Sequence, residues 1–381
     1  MKILHIINSL KKGGAEGNLF RLCKFHKKKY NTKIDIKVLT LIDDGFYEPE
    51  LRKLGIKVYS LKINPKNKLS GLTKKIFKLR KLILNLNPDI IQSWMYHSNF
   101  LTLFLPKKFH SKLFWNIRHS ELNFKISKKM TIFLSLICGT FSRFVPRKII
   151  YCSERSIKFH QEQHFYSKGK AVLIYNGYNH KNYFPSKNLR TNFRKKYKIN
   201  KKQIILGYAG RYAKQKNIPS LLSAFSKVNK KNSSIFLFMA GKDINPKNKE
   251  LVNYIDDLGI KNNVIFLNEQ KNLLKFYNGI DLLILTSFSE SFPNVLPEAM
   301  LCSTPVLSSD AGCSKKIIDK SGFVMNNNDD QSIFKNLIKV IQYNIKNKKK
   351  WKHLKKNSRL QIIKEFSISK MSKEYIQNWI F

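Results

Sequence analysis

Acidic residues are scarce in this chain. Its 381 residues include 24 Asp and Glu against 72 Lys and Arg, which gives a formal net charge of +48 at pH 7. Such a surplus predicts acidic partners: nucleic acid, an anionic lipid surface or a phosphorylated ligand. The positive charge is spread along the whole chain, so a biased amino-acid composition explains much of it as well.

Long apolar runs are also missing, and cysteines are few. The longest nearly apolar runs, such as 131–141 and 281–286, fall short of the roughly 20 residues that a membrane-spanning helix needs. The apolar stretch at the start of the chain is too short for a signal peptide. The five cysteines are scattered and form no C-x-x-C pair. Together these absences predict a reducing cytoplasm and ordinary core or loop thiols.

Short apolar runs alternate with amphipathic stretches, which is typical of parallel α/β proteins. For example, residues 72–86 carry apolar side chains at helical spacing. The predicted strands are 2–7, 34–40, 57–60, 90–94, 113–117, 148–153, 171–175, 203–208, 235–240, 264–267, 281–286 and 305–308. We therefore expect two doubly wound Rossmann-like domains that face each other across a cleft, with ligands at the carboxyl ends of the strands.

The predicted domain boundaries lie where the alternation of predicted strands and helices is interrupted. The polar, basic stretch 186–202 is interpreted as a linker region. We expect an N-terminal domain over 1–185, a C-terminal domain over 186–365, and a helix over 366–381 that packs back on the first domain.

Two strand-to-helix loops suit an anion. Gly13 and Gly14 follow the first strand and precede a helix, whose unpaired N–H groups attract phosphate. A plain turn explains this glycine pair equally well. Arg211 and Lys216 follow the strand that ends at Tyr208, and such cations could neutralise a diphosphate. Composition alone favours a solvated surface for them, whereas their position after a strand favours a site.

The most informative segment is 285–300, which reads LTSFSESFPNVLPEAM. Glu290 lies in the loop after an apolar strand, and Glu298 lies in the first turn of the next helix. The helix dipole favours an acid at Glu298 whatever its role. Two carboxylates on one connection, in a chain with few acids, suggest recognition of sugar hydroxyls.

This segment resembles the E-G-F-P-N-x-x-x-E-A signature of the retaining family 4 glycosyltransferases, which have the GT-B fold. Four further stretches resemble motifs of that family in the right order: GGAE at 13–16, YNG and FP at 175–177 and 184–185, GR and KN at 210–211 and 216–217, and MAG at 239–241. Two positions depart from the pattern. Ser291 replaces a glycine and disfavours positive φ there, and Pro297 replaces an apolar residue.

The resemblance implies a role for each matching residue. Glu298 would hold the ribose hydroxyls of a nucleotide, and Glu290 would contact the donor sugar. Arg211 and Lys216 would stabilise the departing diphosphate, and Gly14 would admit its β-phosphate. The donor-binding set is completed by Ser291, Phe292, Pro293 and Asn294.

A histidine of the first domain completes the candidate site. Relatives often have a histidine near the position of His119, where it contacts the donor sugar or the acceptor. A structural histidine explains His119 equally well. Its neighbour Arg118 is a second candidate, as a phosphate contact.

The resemblance implies hexosyl or N-acetylhexosaminyl transfer, with retention, from a UDP- or GDP-linked sugar. The acceptor would be a hydroxyl of a glycan or a polyprenyl-diphosphate-linked glycan, in cell-surface polysaccharide or lipopolysaccharide biosynthesis. No cofactor and no metal are expected, and no D-x-D motif lies at a strand end. The enzyme would be cytoplasmic.

Two basic stretches of the first domain, 74–81 and 125–147, mix cationic and apolar residues and raise the question of a membrane. Residues 131–141 have cations around them, at Lys128, Lys129, Arg143 and Arg147. A buried helix explains the stretch, and so does a surface that rests on anionic lipid at the inner face of the plasma membrane.

The sequence leaves two alternative functions open. The charge also fits a basic nucleic-acid-binding protein, but no helix-turn-helix, zinc or RNA-binding motif is present, so no specific nucleic acid is expected. A GT-B nucleotide-sugar epimerase or phosphorylase would share the fold, although the sequence shows no pyridoxal lysine site.

Overall fold

Parallel β-sheets organise both halves of the chain. The computed structural model describes residues 1–43, 45–63, 72–122 and 127–380. The basic stretch that begins at Lys125 was part of the expected lipid surface, and its residues 125 and 126 lie outside the described ranges. The chain divides into two units, Met1–Gly177 with Ile368–Phe381, and Tyr178–Ser367.

The first unit contains a seven-stranded parallel sheet in the order β3-β2-β1-β4-β5-β6-β7. Its strands are β1 (Lys2–Ile7), β2 (Asp35–Thr40), β3 (Lys57–Ser60), β4 (Ile90–Trp94), β5 (Leu113–Ile117), β6 (Lys148–Tyr151) and β7 (Ala171–Leu173). Its helices are α1 (Gly14–Lys29), α2 (Glu48–Lys53), α3 (Leu72–Leu86), α4 (Met95–Thr102), α5 (Lys129–Phe141), α6 (Glu154–Gln163) and, from the end of the chain, α15 (Ile368–Ile380).

The second unit contains a six-stranded parallel sheet in the order β10-β9-β8-β11-β12-β13. Its strands are β8 (Ile204–Ala209), β9 (Ile235–Ala240), β10 (Val264–Phe266), β11 (Leu282–Leu285), β12 (Val306–Ser309) and β13 (Phe323–Met325). Its helices are α7 (Lys187–Lys196), α8 (Ile218–Lys231), α9 (Lys249–Asp257), α10 (Leu274–Gly279), α11 (Val295–Leu301), α12 (Ser314–Ile318), α13 (Asp330–Lys346) and α14 (Lys348–Glu365).

Both faces of the first sheet are buried, as crossover helices require. Leu4 and Ile6 pack into one core cluster, while Ile3 and Ile7 pack into another. Successive side chains of a strand point to opposite faces, so this alternation places one cluster on each side of the sheet. The expected pair of doubly wound Rossmann-like units is confirmed.

The predicted linker is wrong, because residues 187–196 form helix α7 of the second unit. Two of its arginines bind one carboxylate: Arg190 Nη2 lies 2.5 Å from Asp281 Oδ1, and Arg194 Nη1 lies 3.2 Å from Asp281 Oδ2. The Ile205 N–H donates to the same carboxylate at 2.8 Å. The polar composition of this stretch therefore reflects ion pairing rather than a flexible connection.

Helix α15 packs on α1 in the first unit. Buried polar pairs hold it there: the Trp379 indole donates to Gln92 Oε1 at 3.0 Å, and His26 Nε2 lies 2.8 Å from Ser372 Oγ. Such contacts join residues that are hundreds of positions apart in the sequence.

Three buried histidines of the first unit make stability depend on pH. Burial lowers the pKa of His5 and of His160 to about 3 and that of His26 to about 4. Each folded-state pKa is below the unfolded value of about 6.5, so the full stability is present above pH 6.5 and is lost as the pH falls. We expect each histidine to remove about 2 kcal/mol of unfolding free energy between pH 7.5 and pH 5.

Urea unfolding at a series of pH values tests this prediction. The slope of the unfolding free energy against pH measures how many protons the chain takes up when it unfolds. The His26→Gln variant should take up one proton fewer than wild type between pH 6.5 and pH 4, so its slope should be smaller. A wild-type unfolding free energy that is equal at pH 7.5 and pH 5 would contradict it.

In the described ranges, no helix combines the length and the apolar composition needed to cross a bilayer.

Candidate functional site

The centre of the candidate site in the second unit is an ion pair between two loops. Lys216 ends a 3₁₀ turn after β8, and Glu290 lies in the loop after β11. The Lys216 ammonium donates to Glu290 Oε1, and Ser287 Oγ donates to the same oxygen at 2.8 Å. The two side chains are only 15% and 12% exposed. The structure therefore brings two of the expected residues into direct contact.

Backbone contacts hold these two loops together. The Thr286 hydroxyl donates to the carbonyls of Lys216 and Asn217 at 3.1 and 3.2 Å, and the Phe288 N–H donates to the Gln215 carbonyl at 2.9 Å. Asn217 has a left-handed backbone (φ 53°), which redirects the chain into α8. Since both loops follow neighbouring parallel strands, their ends meet at one edge of the sheet.

Arg211 extends from the same edge. Its side chain is exposed, and its carbonyl accepts from the Tyr208 hydroxyl at 3.4 Å. Burial raises the pKa of Tyr208, the Glu290 charge raises it further, and the Arg211 charge lowers it. The charges of Glu290 and Arg211 therefore both act on the Tyr208 side chain at the end of β8.

Glu298 lies in the first turn of α11 and has a buried partner. The Tyr277 hydroxyl, from α10, donates to Glu298 Oε2 at 2.9 Å. Burial first, and the neighbouring Glu298 charge second, raise the pKa of Tyr277, so its hydroxyl keeps its proton. Tyr277 is in turn anchored by Thr304, whose hydroxyl donates to the Tyr277 carbonyl at 2.6 Å. Sequence reasoning missed Tyr277 because it precedes Glu298 by 21 residues and belongs to no motif.

The segment between the two glutamates is anchored by aromatic packing. Phe292 is buried, stacks on Tyr178 (centroids 6.3 Å apart, 23°) and meets Phe366 edge-on at 5.7 Å. The Tyr178 hydroxyl donates to Asn294 Oδ1. The side chains of Phe292 and Pro293 are thus buried, and their packing holds the segment between the two glutamates in place.

Ser291 and Gly312 bring a third loop against this segment. Ser291 does not have a positive φ, so its substitution for the family's glycine causes no backbone strain. The Cys313 N–H donates to the Ser291 carbonyl at 3.2 Å. A Cβ on Gly312, whose φ is +59°, would lie 1.9 Å from the Glu290 carbonyl oxygen. Only glycine permits this approach, which the sequence did not reveal.

In the first unit, the glycine-rich loop begins α1, with Gly13 as N-cap and Gly14 as first helical residue. The Glu16 carboxylate lies beside this loop, where a Cβ on Gly13 would approach Glu16 Oε2 to 2.2 Å. Burial raises the pKa of Glu16, and its own backbone N–H opposes that shift. The helix N-terminus expected to receive a phosphate therefore already faces a carboxylate.

Arg118 is engaged within the first unit. Its guanidinium donates to Asn116 Oδ1, Asn176 Oδ1 and the Tyr375 hydroxyl at 2.6, 2.5 and 2.5 Å. It also lies 5.4 Å from the centre of the Trp94 ring. These contacts tie the end of β5 to α15, and a phosphate contact would have to break them.

His119, the next residue, is half-buried beyond the end of β5. Its ring stacks on Tyr96, with centroids 5.6 Å apart and an interplanar angle of 22°. Its carbonyl accepts from the Ser156 hydroxyl at 2.5 Å. The side chain thus lies at the carboxyl edge of the first sheet, as the sequence placed it.

Within the described ranges, no three His, Cys, Asp or Glu side chains are grouped so that they could hold a metal ion. All five cysteines are buried, and none forms a disulfide.

Comparison with known proteins identifies the class of this fold. The chain superposes on the crystal structure of Anabaena Alr3699/HepE in complex with UDP with a TM-score of 0.82, at 20% identity, over 99% of each chain. The two units thus have the GT-B fold.

Residues 190–361 match the family model described as glycosyl transferases group 1. The chain is 25% identical over 293 residues (74% of this chain, 75% of the relative) to the N,N'-diacetylbacillosaminyl-diphospho-undecaprenol alpha-1,3-N-acetylgalactosaminyltransferase of Campylobacter jejuni. It is 22% identical to the Escherichia coli O-antigen biosynthesis glycosyltransferase WclY, over 98% of this chain and 97% of that protein. The predicted glycosyltransferase activity is confirmed.

Proposed function

We propose that this glycosyltransferase moves a hexosyl or N-acetylhexosaminyl group from a UDP- or GDP-linked sugar to an acceptor hydroxyl, with retention of anomeric configuration. The observation that carries the proposal is the Lys216–Glu290 ion pair, on the connection that also leads to Glu298. A cation suited to a diphosphate and carboxylates suited to hydroxyls are thus held in one loop cluster.

In this proposal the ion pair rearranges when the donor binds. The diphosphate competes for the Lys216 ammonium, and Glu290 Oε1 then accepts a hydroxyl of the sugar instead. As the bond between the anomeric carbon and the diphosphate oxygen breaks, Lys216 and Arg211 stabilise the charge that develops on the leaving group. The acceptor oxygen forms the new bond to the anomeric carbon on the face from which the leaving group departs, and its proton passes to the departing phosphate oxygen. Glu298, held by Tyr277, accepts the ribose hydroxyls.

A donor screen tests the proposal. The purified full chain is incubated with a panel of UDP- and GDP-sugars, and release of the nucleoside diphosphate is measured with and without EDTA. We expect release from one donor class, unaffected by EDTA, and an α-linked product from an α-linked donor by NMR. Inverted product would overturn retention, loss of activity with EDTA would overturn metal independence, and no turnover or binding of any donor would overturn the proposal.

Tyr277 provides a test of the nucleotide end of the site. The Tyr277→Phe variant removes the hydrogen bond to Glu298 and leaves the ring in place. A hydrogen bond to a charged group contributes about 1.5 kcal/mol or more, so we expect the nucleoside diphosphate to bind about tenfold more weakly by calorimetry. The control is Tyr343→Phe, which alters a tyrosine packed on Trp351. Equal affinity of Tyr277→Phe and wild type would contradict the prediction.

The acceptor is proposed from the relatives and from a surface of the first unit. The Campylobacter relative is named for a diphospho-undecaprenol acceptor. We propose that this chain likewise glycosylates a glycan on a polyprenyl diphosphate, for a cell-surface polysaccharide. Such an acceptor lies in a membrane, which requires the enzyme to work at the membrane surface.

Helix α5 has one buried and one exposed face. Ile132 and Leu134, expected in the lipid-facing patch, are buried. The exposed apolar side chains of the helix and the segment after it are Met130, Phe133, Phe141 and Phe144, of which Phe133 is 57% and Phe144 is 72% exposed. Lysines and arginines flank both ends of this stretch. We propose that this apolar face inserts into an anionic bilayer while the cations contact its headgroups.

Vesicle co-sedimentation tests this surface. The Phe133→Ser/Phe144→Ser variant should bind phosphatidylglycerol vesicles at least about tenfold more weakly, because burial of one Phe contributes about 1.5–3 kcal/mol. Ile345→Ser in the second unit, which changes another exposed apolar residue, is the control. Unchanged binding of the double variant, or no binding of wild type at low salt, would contradict the proposal.

A further inference from the structure

The ring of His119 rests on a buried hydrogen-bonded network that no motif of the sequence includes. Tyr96, on which it stacks, is fully buried at the start of α4. The Tyr96 hydroxyl lies 2.7 Å from His160 Nε2, and His160 Nδ1 lies 2.7 Å from the Ser156 carbonyl oxygen.

The chemistry of these atoms fixes the direction of each hydrogen bond. A carbonyl oxygen can only accept, so His160 Nδ1 carries the proton. Burial lowers the pKa of His160 to about 3, so the ring is neutral and Nε2 is left as an acceptor. The Tyr96 hydroxyl therefore donates to His160 Nε2, which fixes the plane of the Tyr96 ring on which His119 lies.

Ser156 acts on both ends of this network. Its carbonyl fixes the tautomer of His160, and its hydroxyl donates to the His119 carbonyl at 2.5 Å. Ser156 is itself held in the first turn of α6, where its N–H donates to the N-cap Ser153 Oγ at 3.2 Å. The backbone and the ring of His119 are thus restrained from one helix terminus.

We propose that Tyr96 and Ser156 are positioning residues that hold His119 in its reactive orientation. This inference rests on the proposed function and on the contact with the donor sugar or the acceptor that the family resemblance implies for His119. A half-buried ring without the stack would sample other rotamers, and misplacement of a reacting group by about 1 Å can cost about 100-fold in rate. The network lies in the first unit, and the Lys216–Glu290 loops lie in the second.

The test separates turnover from nucleotide binding. The probe is UDP-glucose, or the sugar nucleotide that the donor screen selects, and its corresponding nucleoside diphosphate serves for calorimetry. Tyr96→Leu removes the stack, and Ser156→Ala removes the restraint on the backbone. We expect each to lower kcat at least about tenfold, with the dissociation constant of the nucleoside diphosphate changed less than about twofold. Tyr96→Phe retains the ring but loses the hydrogen bond to His160, so its kcat should lie between those of Tyr96→Leu and wild type.

A double-mutant cycle shows whether these residues act through His119. In a His119→Ala background, Tyr96→Leu and Ser156→Ala should have no further effect on kcat, because groups that act as a unit are not additive. The control is Tyr166→Phe, another fully buried tyrosine that packs edge-on against His160 at 5.2 Å. It should keep wild-type kcat.

The outcomes distinguish the positioning role of Tyr96 and Ser156 from the role of His119 itself. Wild-type kcat in Tyr96→Leu and in Ser156→Ala, with His119→Ala impaired, overturns the positioning role and leaves the proposed function intact. Wild-type kcat in His119→Ala overturns the role of His119 itself. If Tyr96→Leu does not fold, Ser156→Ala alone decides, because it removes one hydroxyl and leaves the aromatic packing in place.

Discussion

The Glu290→Gln variant should lose about 100-fold or more in kcat and remain folded. Glutamine has the same shape but carries no charge, so it attracts the Lys216 ammonium and a sugar hydroxyl less strongly than the carboxylate. Loss of one preorganised polar group at a reacting centre typically costs 10²–10³-fold in rate. Steady-state kinetics with the donor from the screen measures the effect, and circular dichroism checks the fold.

The ion pair also predicts a pattern of stability. Lys216→Met leaves the largely buried Glu290 carboxylate without its cation, which should lower the free energy of unfolding by about 1–3 kcal/mol. The double variant Lys216→Met/Glu290→Gln should recover part of that loss, because no buried charge then remains unpaired. Asp256→Asn is the matched control, since it breaks an exposed ion pair with Lys261 in the same unit. Full activity in Glu290→Gln would remove the main support for the proposed site.

Gly312→Ala should abolish most of the activity although it adds a single methyl group. The new Cβ would lie 1.9 Å from the Glu290 carbonyl oxygen and 2.7 Å from that of Ser291, so the segment that contains Glu290 must move. Because a shift of about 1 Å at a reacting group can cost about 100-fold in rate, we expect kcat to fall by about that factor.

A second glycine separates the steric effect from the backbone effect. Gly259 has a similar left-handed backbone (φ +68°), but a Cβ there would meet no atom within 4 Å. Gly259→Ala should therefore cost only about 1 kcal/mol of stability and leave kcat unchanged. Equal kinetic effects of the two substitutions would show that backbone strain, not the approach to Glu290, explains the loss at Gly312.

Sequence patterns predicted the features of this protein that depend only on contiguous residues. The strands could be predicted because they are short apolar runs, and the loops after β8 and β11 because each is continuous in sequence. Two predicted strands, 148–153 and 171–175, ran two residues too far, since Ser153 caps α6, β6 ends at Tyr151 and β7 ends at Leu173. The short elements α2, α4 and β13 carry too few residues for a periodic signal.

Partners from distant positions could not be predicted in this way. Tyr277 on Glu298, Tyr178 on Asn294 and Tyr96 under His119 all join residues on different elements. In the sequence, a buried tyrosine cannot be distinguished from other core residues. The hydrogen-bond acceptor of its hydroxyl lies on a second element, and only the tertiary structure brings the two together.

The sequence by itself determined the parallel α/β architecture and the identity of the charged residues, because periodicity and motif spacing are properties of contiguous chain. The tertiary structure decided which of 72 cations meets which of 24 acids: Lys216 binds Glu290, while Arg190 and Arg194 bind Asp281. The reason is geometric, since parallel strands bring the loops at their carboxyl ends to one edge of the sheet whatever their separation in the chain.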